Sequence, residues 1–142
     1  MSIQADILSA LRVDGVQKPS QLPVLSLAYV GDTVYDLFVR TYLVETREVP
    51  VHELHLRSSE LVCAKGQAAA FFRIEKLLSE EETAIYKRGR NAHSGTVPKN
   101  ASVGDYRVAT GLEALLGYLF LCGEDARINT LMRYAIGIEE NK

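Results

Sequence analysis

Apolar residues recur along most of the chain at spacings of three and four, which lays a stripe along one face of an α-helix, and no stretch alternates apolar with polar as a half-buried strand would. The most regular stretch runs from Leu25 to Glu45, with Leu27, Val30, Val34, Leu37, Phe38 and Tyr42 on one side. It predicts the central helix, with those six residues as its buried face. Val51 to Leu78 is a second helical stretch, carrying Leu54, Leu56 and Leu61, then Ala68, Phe71, Phe72 and Leu78. Gly66 in its middle predicts two helices or one bent one. Ser79 followed by Glu82 has the spacing of a reciprocal capping box, and three glutamates there suit a helix N-terminus, so a short helix is expected from about Glu80 to Arg88.

Gly89 to Gly104 has no hydrophobic period and reads as an exposed loop, long for a compact domain. From Asp105 the helical pattern returns through Leu121, with Gly123 placed to end the helix, and Ala126 to Ile138 predicts a last one. Ahead of the central helix, Ala5 to Val13 is a short amphipathic piece, followed by turns at Gly15, Pro19 and Pro23. The expected organisation is an N-terminal segment over 1–22 and one domain over 23–142. The fold class is all-α, an irregular helical bundle without internal repeats.

Composition narrows the function classes. The 142 residues, 47% hydrophobic and 24% charged, suit one folded domain and exclude disordered and low-complexity classes. The longest mostly apolar run, Ala114 to Cys122, is far below the roughly 20 residues of a membrane span. No basic-then-apolar leader opens the chain, so neither membrane insertion nor export is expected. Cys63 and Cys122 stand far apart with no CxxC pair, which argues against a disulfide framework or zinc ribbon and for a reducing, cytoplasmic setting. The net charge of −2 gives no general attraction to polyanions, yet Thr83 to Gly104 contains no acid while holding Lys87, Arg88, Arg90, His93 and Lys99.

Two positions break the local rules. Asp32 follows Gly31 in the apolar middle of the central helix, where glycine costs about 1 kcal/mol of helix propensity and a carboxylate on a buried face needs a proton, a cation or hydrogen bonds. Glu113 repeats the anomaly in Gly111-Leu-Glu-Ala-Leu-Leu-Gly117. If the two helices pack together, Asp32 and Glu113 converge as two hard oxygen ligands of the kind Mg²⁺ prefers, and a metal beside a basic loop points to phosphodiester chemistry. The plainer alternative pairs each acid with Arg40, Arg57, Lys65 or Arg107, and spacing alone leaves both open.

In the basic segment Lys87, Arg88, Arg90 and Lys99 can hold phosphates. Asn91, Ser94, Thr96 and Asn100 can donate hydrogen bonds, and Gly89 and Gly95 leave backbone amides accessible. A merely solvated loop is the alternative. Asp105 reads as a helix cap, and Arg107 as a residue that orients Glu113 or touches phosphate. His52 and His55 lack the spacing of a zinc protease and read as surface residues, and no phosphate loop, dinucleotide fingerprint or nucleophile elbow is present.

Leu27-Ala-Tyr-Val-Gly-Asp-Thr-Val-Tyr-Asp36 and Thr110-Gly-Leu-Glu-Ala-Leu-Leu-Gly-Tyr-Leu119 resemble the paired signatures of the ribonuclease III catalytic domain. Lys87-Arg-Gly-Arg-Asn-Ala-His-Ser-Gly-Thr96 and Pro98-Lys-Asn100 are most similar to its short bacterial branch, Mini-ribonuclease III. The resemblance runs from about Leu25 to Leu121. It implies the all-helical ribonuclease III catalytic fold, a homodimer, and divalent-metal-dependent cutting of double-stranded RNA. Asp32 would be the catalytic, metal-binding aspartate and Glu113 the metal-binding glutamate, with Mg²⁺ as cofactor and Mn²⁺ as a substitute.

The full-length pattern has a further glutamate and aspartate where this chain has Ala28 and Thr110, which leaves fewer acidic ligands and weaker expected metal binding. The chain leaves no room for the C-terminal double-stranded RNA-binding domain of larger relatives, so grip is expected from the dimer surface and the basic segment. The expected RNA contacts are Lys87, Arg88, Arg90, Asn91, Lys99 and Arg107. The short branch implies maturation of 23S rRNA precursor ends at their terminal stem, with a ribosomal protein as a helper. The competing readings are a catalytically silent RNA-binding or ribosome-associated module on the same fold, and a helical dimerisation module that binds no RNA.

Overall fold

A computed structural model describes residues 2–92, 97, 99 and 101–140. Among the described residues the fold is all helical: α1 (Ile3–Leu11), α2 (Val24–Thr46), α3 (Val51–Val62), α4 (Ala64–Ile74), α5 (Glu80–Arg90), α6 (Val103–Leu121) and α7 (Asp125–Ala135), with 3-10 turns at Pro19–Gln21 and Glu75–Leu77. Among them no helix is long and apolar enough to cross a membrane.

The centre of the bundle is α6, not the expected Leu25–Glu45 helix. From Ala109 to Leu119 every residue of α6 except Glu113 is buried, so it is apolar on all sides and α2, α4, α5 and α7 pack around it. The inward face of α2 is Leu27, Ala28, Gly31, Val34, Tyr35, Val39 and Leu43, while Leu37, expected in the core, is 60% exposed. The face is set by small residues that periodicity in large apolar ones overlooks. A Cβ on Gly31 would lie 1.6 Å from the Glu113 carbonyl oxygen, and one on Gly117 would lie 1.8 Å from the Leu27 carbonyl oxygen. The two helices therefore cross backbone against backbone, with a glycine from each at the contact.

The expected break in the second stretch falls at Cys63, whose extended backbone separates α3 from α4. Gly66 lies inside α4, where it lets the helix pass close to the Glu60 and Leu61 carbonyls. Leu56 and Phe72, counted with the core by spacing, are exposed. The capping box at Ser79 and Glu82 forms as predicted: Glu82 N–H donates to Ser79 Oγ at 3.1 Å and Ser79 N–H to Glu82 Oε1 at 2.9 Å. Arg127 adds a two-pronged pair to the buried Glu82 at 2.8 Å and a bond to the Leu77 carbonyl at 2.7 Å, tying α7 to this corner.

Helix α5 runs past the expected Arg88 to Arg90, because Gly89 packs against Gly111 and Ala114 of α6. Gly89 and Arg90 are thus helical rather than part of the expected loop, and Lys87 and Arg88 are helical as expected. His93, Ser94, Gly95, Thr96 and Asn100 lie outside the described residues. The cap of α6 is Ser102, whose Oγ accepts from Asp105 N–H at 3.0 Å, so Asp105 is a first-turn residue and not the cap. At the other end Gly123, at φ +74°, lets Glu124 N–H reach back to the Leu119 carbonyl at 2.9 Å, as its position suggested. Gly137, at φ +87°, ends α7 the same way, three residues before the expected Ile138. Helix α1 buries no side chain, and Ile3 N–H donates to Asp125 at 2.9 Å.

Candidate active site

The glycine-backed crossing of α2 and α6 brings the two anomalous acids together. Asp32 follows the glycine that touches the Glu113 backbone, and both side chains line one open cleft. Asp32 is exposed, contrary to the expectation of a buried face, because α2 turns its small residues inward and leaves the aspartate at the rim. Glu113 is half-buried. Burial pushes its carboxyl up to about 8, helped by hydrogen bonding to Asp32 and by the aspartate's charge, while a hydrogen bond from Gln67 works in the opposite direction.

The ion-pair alternative is not what forms. Arg40 pairs with Asp36 at 2.9 Å and Arg57 with Glu53 at 3.1 Å, and among the described residues neither Asp32 nor Glu113 has a lysine or arginine partner. The remaining wall comes from the α3–α4 corner and the start of α6, which contribute Lys65, Gln67, Lys99 and Asp105. Two exposed lysines therefore face a cleft whose floor is acidic.

Of the six expected RNA contacts, Lys99 alone lines this cleft. Arg88 does something else: its guanidinium donates to the Ser20 carbonyl at 2.7 Å and the Leu22 carbonyl at 3.1 Å, clamping the N-terminal segment to α5. Arg90 lies 5.8 Å over the Tyr86 ring, which stacks on Phe71, and its Nε donates to Asn91 Oδ1 at 3.3 Å. Lys87 and Arg107 are exposed on α5 and α6, and Arg107 does not orient Glu113. His52 and His55 are exposed on α3, as expected. Sequence reasoning missed Lys65 and Gln67 as cleft residues. The available signal was Gln67 itself, a polar side chain on the face shared by Ala68, Ala70 and Phe71.

The donor set suits one cation class. Among the described residues no third His, Cys, Asp or Glu gathers with Asp32 and Glu113 into a metal cluster. Two carboxylates in an open cleft leave most of a coordination shell to water, which is how Mg²⁺ binds proteins, whereas zinc favours a closed set of nitrogen and sulfur ligands. A cation there would also offset the burial that, helped by the neighbouring Asp32, favours a proton on Glu113.

Comparison with known proteins agrees with this geometry. The ribonuclease III domain profile matches residues 25–124. Mini-ribonuclease 3 of Clostridium tetani is 43% identical over 125 residues, covering 87% of this chain and 83% of the relative. The Thermoanaerobacter protein of the same name is 47% identical over 119 residues, covering 84% of each. A crystal structure of a Fusobacterium nucleatum protein superposes with a TM-score of 0.74 at 28% identity, covering 82% of this chain and 93% of that one. With its signature acids paired at the crossing of α2 and α6, the chain belongs to the ribonuclease III family, in its Mini-ribonuclease 3 branch.

Proposed function

We propose that this endoribonuclease cuts double-stranded RNA with Mg²⁺ held by Asp32 and Glu113, and that its substrate is the terminal stem of 23S rRNA precursor in the cytoplasm. The observation that carries the reading is the convergence of the two carboxylates in an open cleft with Lys65 and Lys99 on its wall. Asp32, exposed at the rim, is the residue an incoming phosphodiester meets. Glu113, fixed by the helix crossing, sets the second oxygen from below. Bound there, Mg²⁺ supplies activation of water and neutralisation of charge at the phosphate.

Lys65 and Lys99 attract the RNA backbone to the cleft. Lys87, Arg90, Asn91 and Arg107 extend the contact beyond it, while Arg88 serves the fold. An A-form duplex is read by backbone and shape, which suits lysines on the wall of an open cleft. The exposed apolar residues Tyr29, Leu37 and Val44 on the outer side of α2 support docking of a second copy, and a twofold dimer would set one site near each strand. A ribosomal protein that presents the stem belongs to the same reading.

The test is cleavage of a precursor 23S terminal stem in Mg²⁺ by wild type, by EDTA-treated protein and by Asp32→Asn. Cutting that needs metal and is lost in Asp32→Asn, with RNA binding retained, is expected. Binding without cutting in every sample would favour the silent RNA-binding module, and cutting that survives Asp32→Asn would place the active site elsewhere.

A further inference from the structure

Lys65 is the second residue of α4 and stands exposed on the wall of the carboxylate cleft. The helix gains nothing from it there. A cation in the first turn meets the positive end of the helix dipole, and α4 has no acid in that turn to offset it. Ala68 and Ala69, three and four residues on, carry no charge either. Among the described residues Lys65 forms no ion pair. The start of its helix is nonetheless tightly fixed. A Cβ on the next residue, Gly66, would lie 2.2 Å from the Glu60 carbonyl oxygen and 2.7 Å from that of Leu61, so α4 begins hard against the end of α3. The fold thus sets a lone, locally unfavourable ammonium at a built corner of the cleft that holds Asp32 and Glu113, and a local rule broken at such a place points to function.

We propose that Lys65 is a catalytic residue, its ammonium stabilising the negative charge that grows on the phosphate oxygens as a backbone bond is cut. The inference rests on Asp32 and Glu113 being the metal centre. In an in-line displacement the oxygen of water bonds to phosphorus while the bond from phosphorus to a ribose oxygen breaks. The water releases a proton to solvent, the departing oxygen takes one up, and Lys65 stays an ammonium throughout. Charge builds on both the entering and the leaving side, which sites rich in ligands cover with paired metal ions. Two carboxylates suit a single cation, and among the described residues no third His, Cys, Asp or Glu joins them. A second positive charge therefore has to come from the cleft wall itself, and Lys65 supplies it without a ligand set of its own. Lys99, the other lysine of the wall, stands in a turn ahead of α6. A group that acts in the transition state must be held in place, and the α3–α4 corner is what holds Lys65.

The experiment compares wild type with Lys65→Ala, Lys65→Arg and Lys65→Glu, each as the full chain. Cleavage of a precursor 23S terminal stem at saturating Mg²⁺ is resolved into kcat and KM. Expected for Lys65→Ala is a kcat lowered about a hundredfold, with KM changed far less and part of the rate restored in Lys65→Arg. Its Tm should equal or exceed that of wild type, since a cation has left a helix N-terminus. A loss confined to KM, with kcat within about twofold of wild type, overturns the proposal and leaves Lys65 a phosphate contact. Metal binding gives a readout apart from activity. In Mn²⁺ titrations without RNA, followed by electron paramagnetic resonance, Lys65→Glu should bind the ion about tenfold more tightly or better, because a carboxylate stands where the ammonium stood. Equal affinity would place Lys65 away from the centre and overturns the proposal as well. Wild type that binds no Mn²⁺ removes the metal centre itself, whereas wild-type binding and cutting with an indifferent Lys65→Ala removes the role of Lys65 alone.

Discussion

Gly31→Ala tests whether the helix crossing and the active site are one structure. The new Cβ would sit 1.6 Å from the Glu113 carbonyl oxygen, where ordinary contact begins at 3.4 Å, and 2.8 Å from the Gly117 nitrogen. Because these neighbours are backbone atoms that cannot rotate aside, α2 and α6 must separate by roughly 2 Å at this point. Overpacking of this kind costs about 3 kcal/mol, and alanine's better helix propensity returns about 1 kcal/mol, for a net loss of about 2 kcal/mol. In a domain of this size that lowers Tm by roughly 4–8 °C.

The displaced atom belongs to Glu113, so the two carboxylates separate as well. A misplacement on the order of 1 Å can cost about a hundredfold in rate, so cleavage measured well below the variant's Tm should fall by about that factor. Thermal unfolding by circular dichroism and Mg²⁺-dependent cleavage of a duplex stem read the two effects separately. Gly104→Ala is the control: a Cβ there meets nothing within 4 Å, and the change should stabilise by about 0.5–1 kcal/mol. A Gly31→Ala protein that melts with wild type and cuts at the wild-type rate would refute the reasoning.

Three further outcomes are expected. The Glu113 carboxyl is pushed up to about 8 in the folded chain against about 4.3 unfolded, so the folded state holds the extra proton and metal-free stability falls as pH rises between those values. Asp32→Asn removes the neighbouring charge and should flatten that decline, measured as Tm against pH in EDTA. Arg127 holds the buried Glu82 carboxyl below its ordinary range, which contributes stability above the unfolded carboxylate pKa that is lost as pH falls through the folded one. Arg127→Ala should cost about 2–3 kcal/mol in urea unfolding near neutral pH and flatten the acid limb. For RNA binding, Lys99→Ala should reduce the salt slope by about 0.9, while Arg88→Ala should leave the slope unchanged and loosen residues 19–22, read by limited proteolysis.

What the sequence made legible follows from how local each feature is. Helix identities, the Ser79–Glu82 box and the Gly123 stop depend on neighbours within one or two turns, and they stand where the pattern placed them. Periodicity turns Leu37 inward and makes α2 the central helix, whereas Leu37 is exposed and α6 lies at the centre, because glycine contributes nothing to a count of large apolar residues yet decides where backbones meet. Asp32 and Glu113 stand out in the sequence because each carries a charge within an apolar stretch of helix, although Asp32 lies at the exposed rim. The role of Arg88 is not legible there, since its guanidinium's acceptors are carbonyls 66 and 68 positions away.

The loose attachment of α1 gives the molecule two tiers of opening. A nine-residue helix with no buried side chain has little reason to persist once Ile3 lets go of Asp125. Its amides should exchange with deuterium through a local fluctuation, whereas those of Leu115 and Leu116, fully enclosed in α6, should exchange only when the whole bundle opens. The boundary between the tiers falls at Ser20 and Leu22, where Arg88 grips the backbone. A spectroscopic reporter placed in α1 would therefore record a transition that leaves the carboxylate cleft assembled.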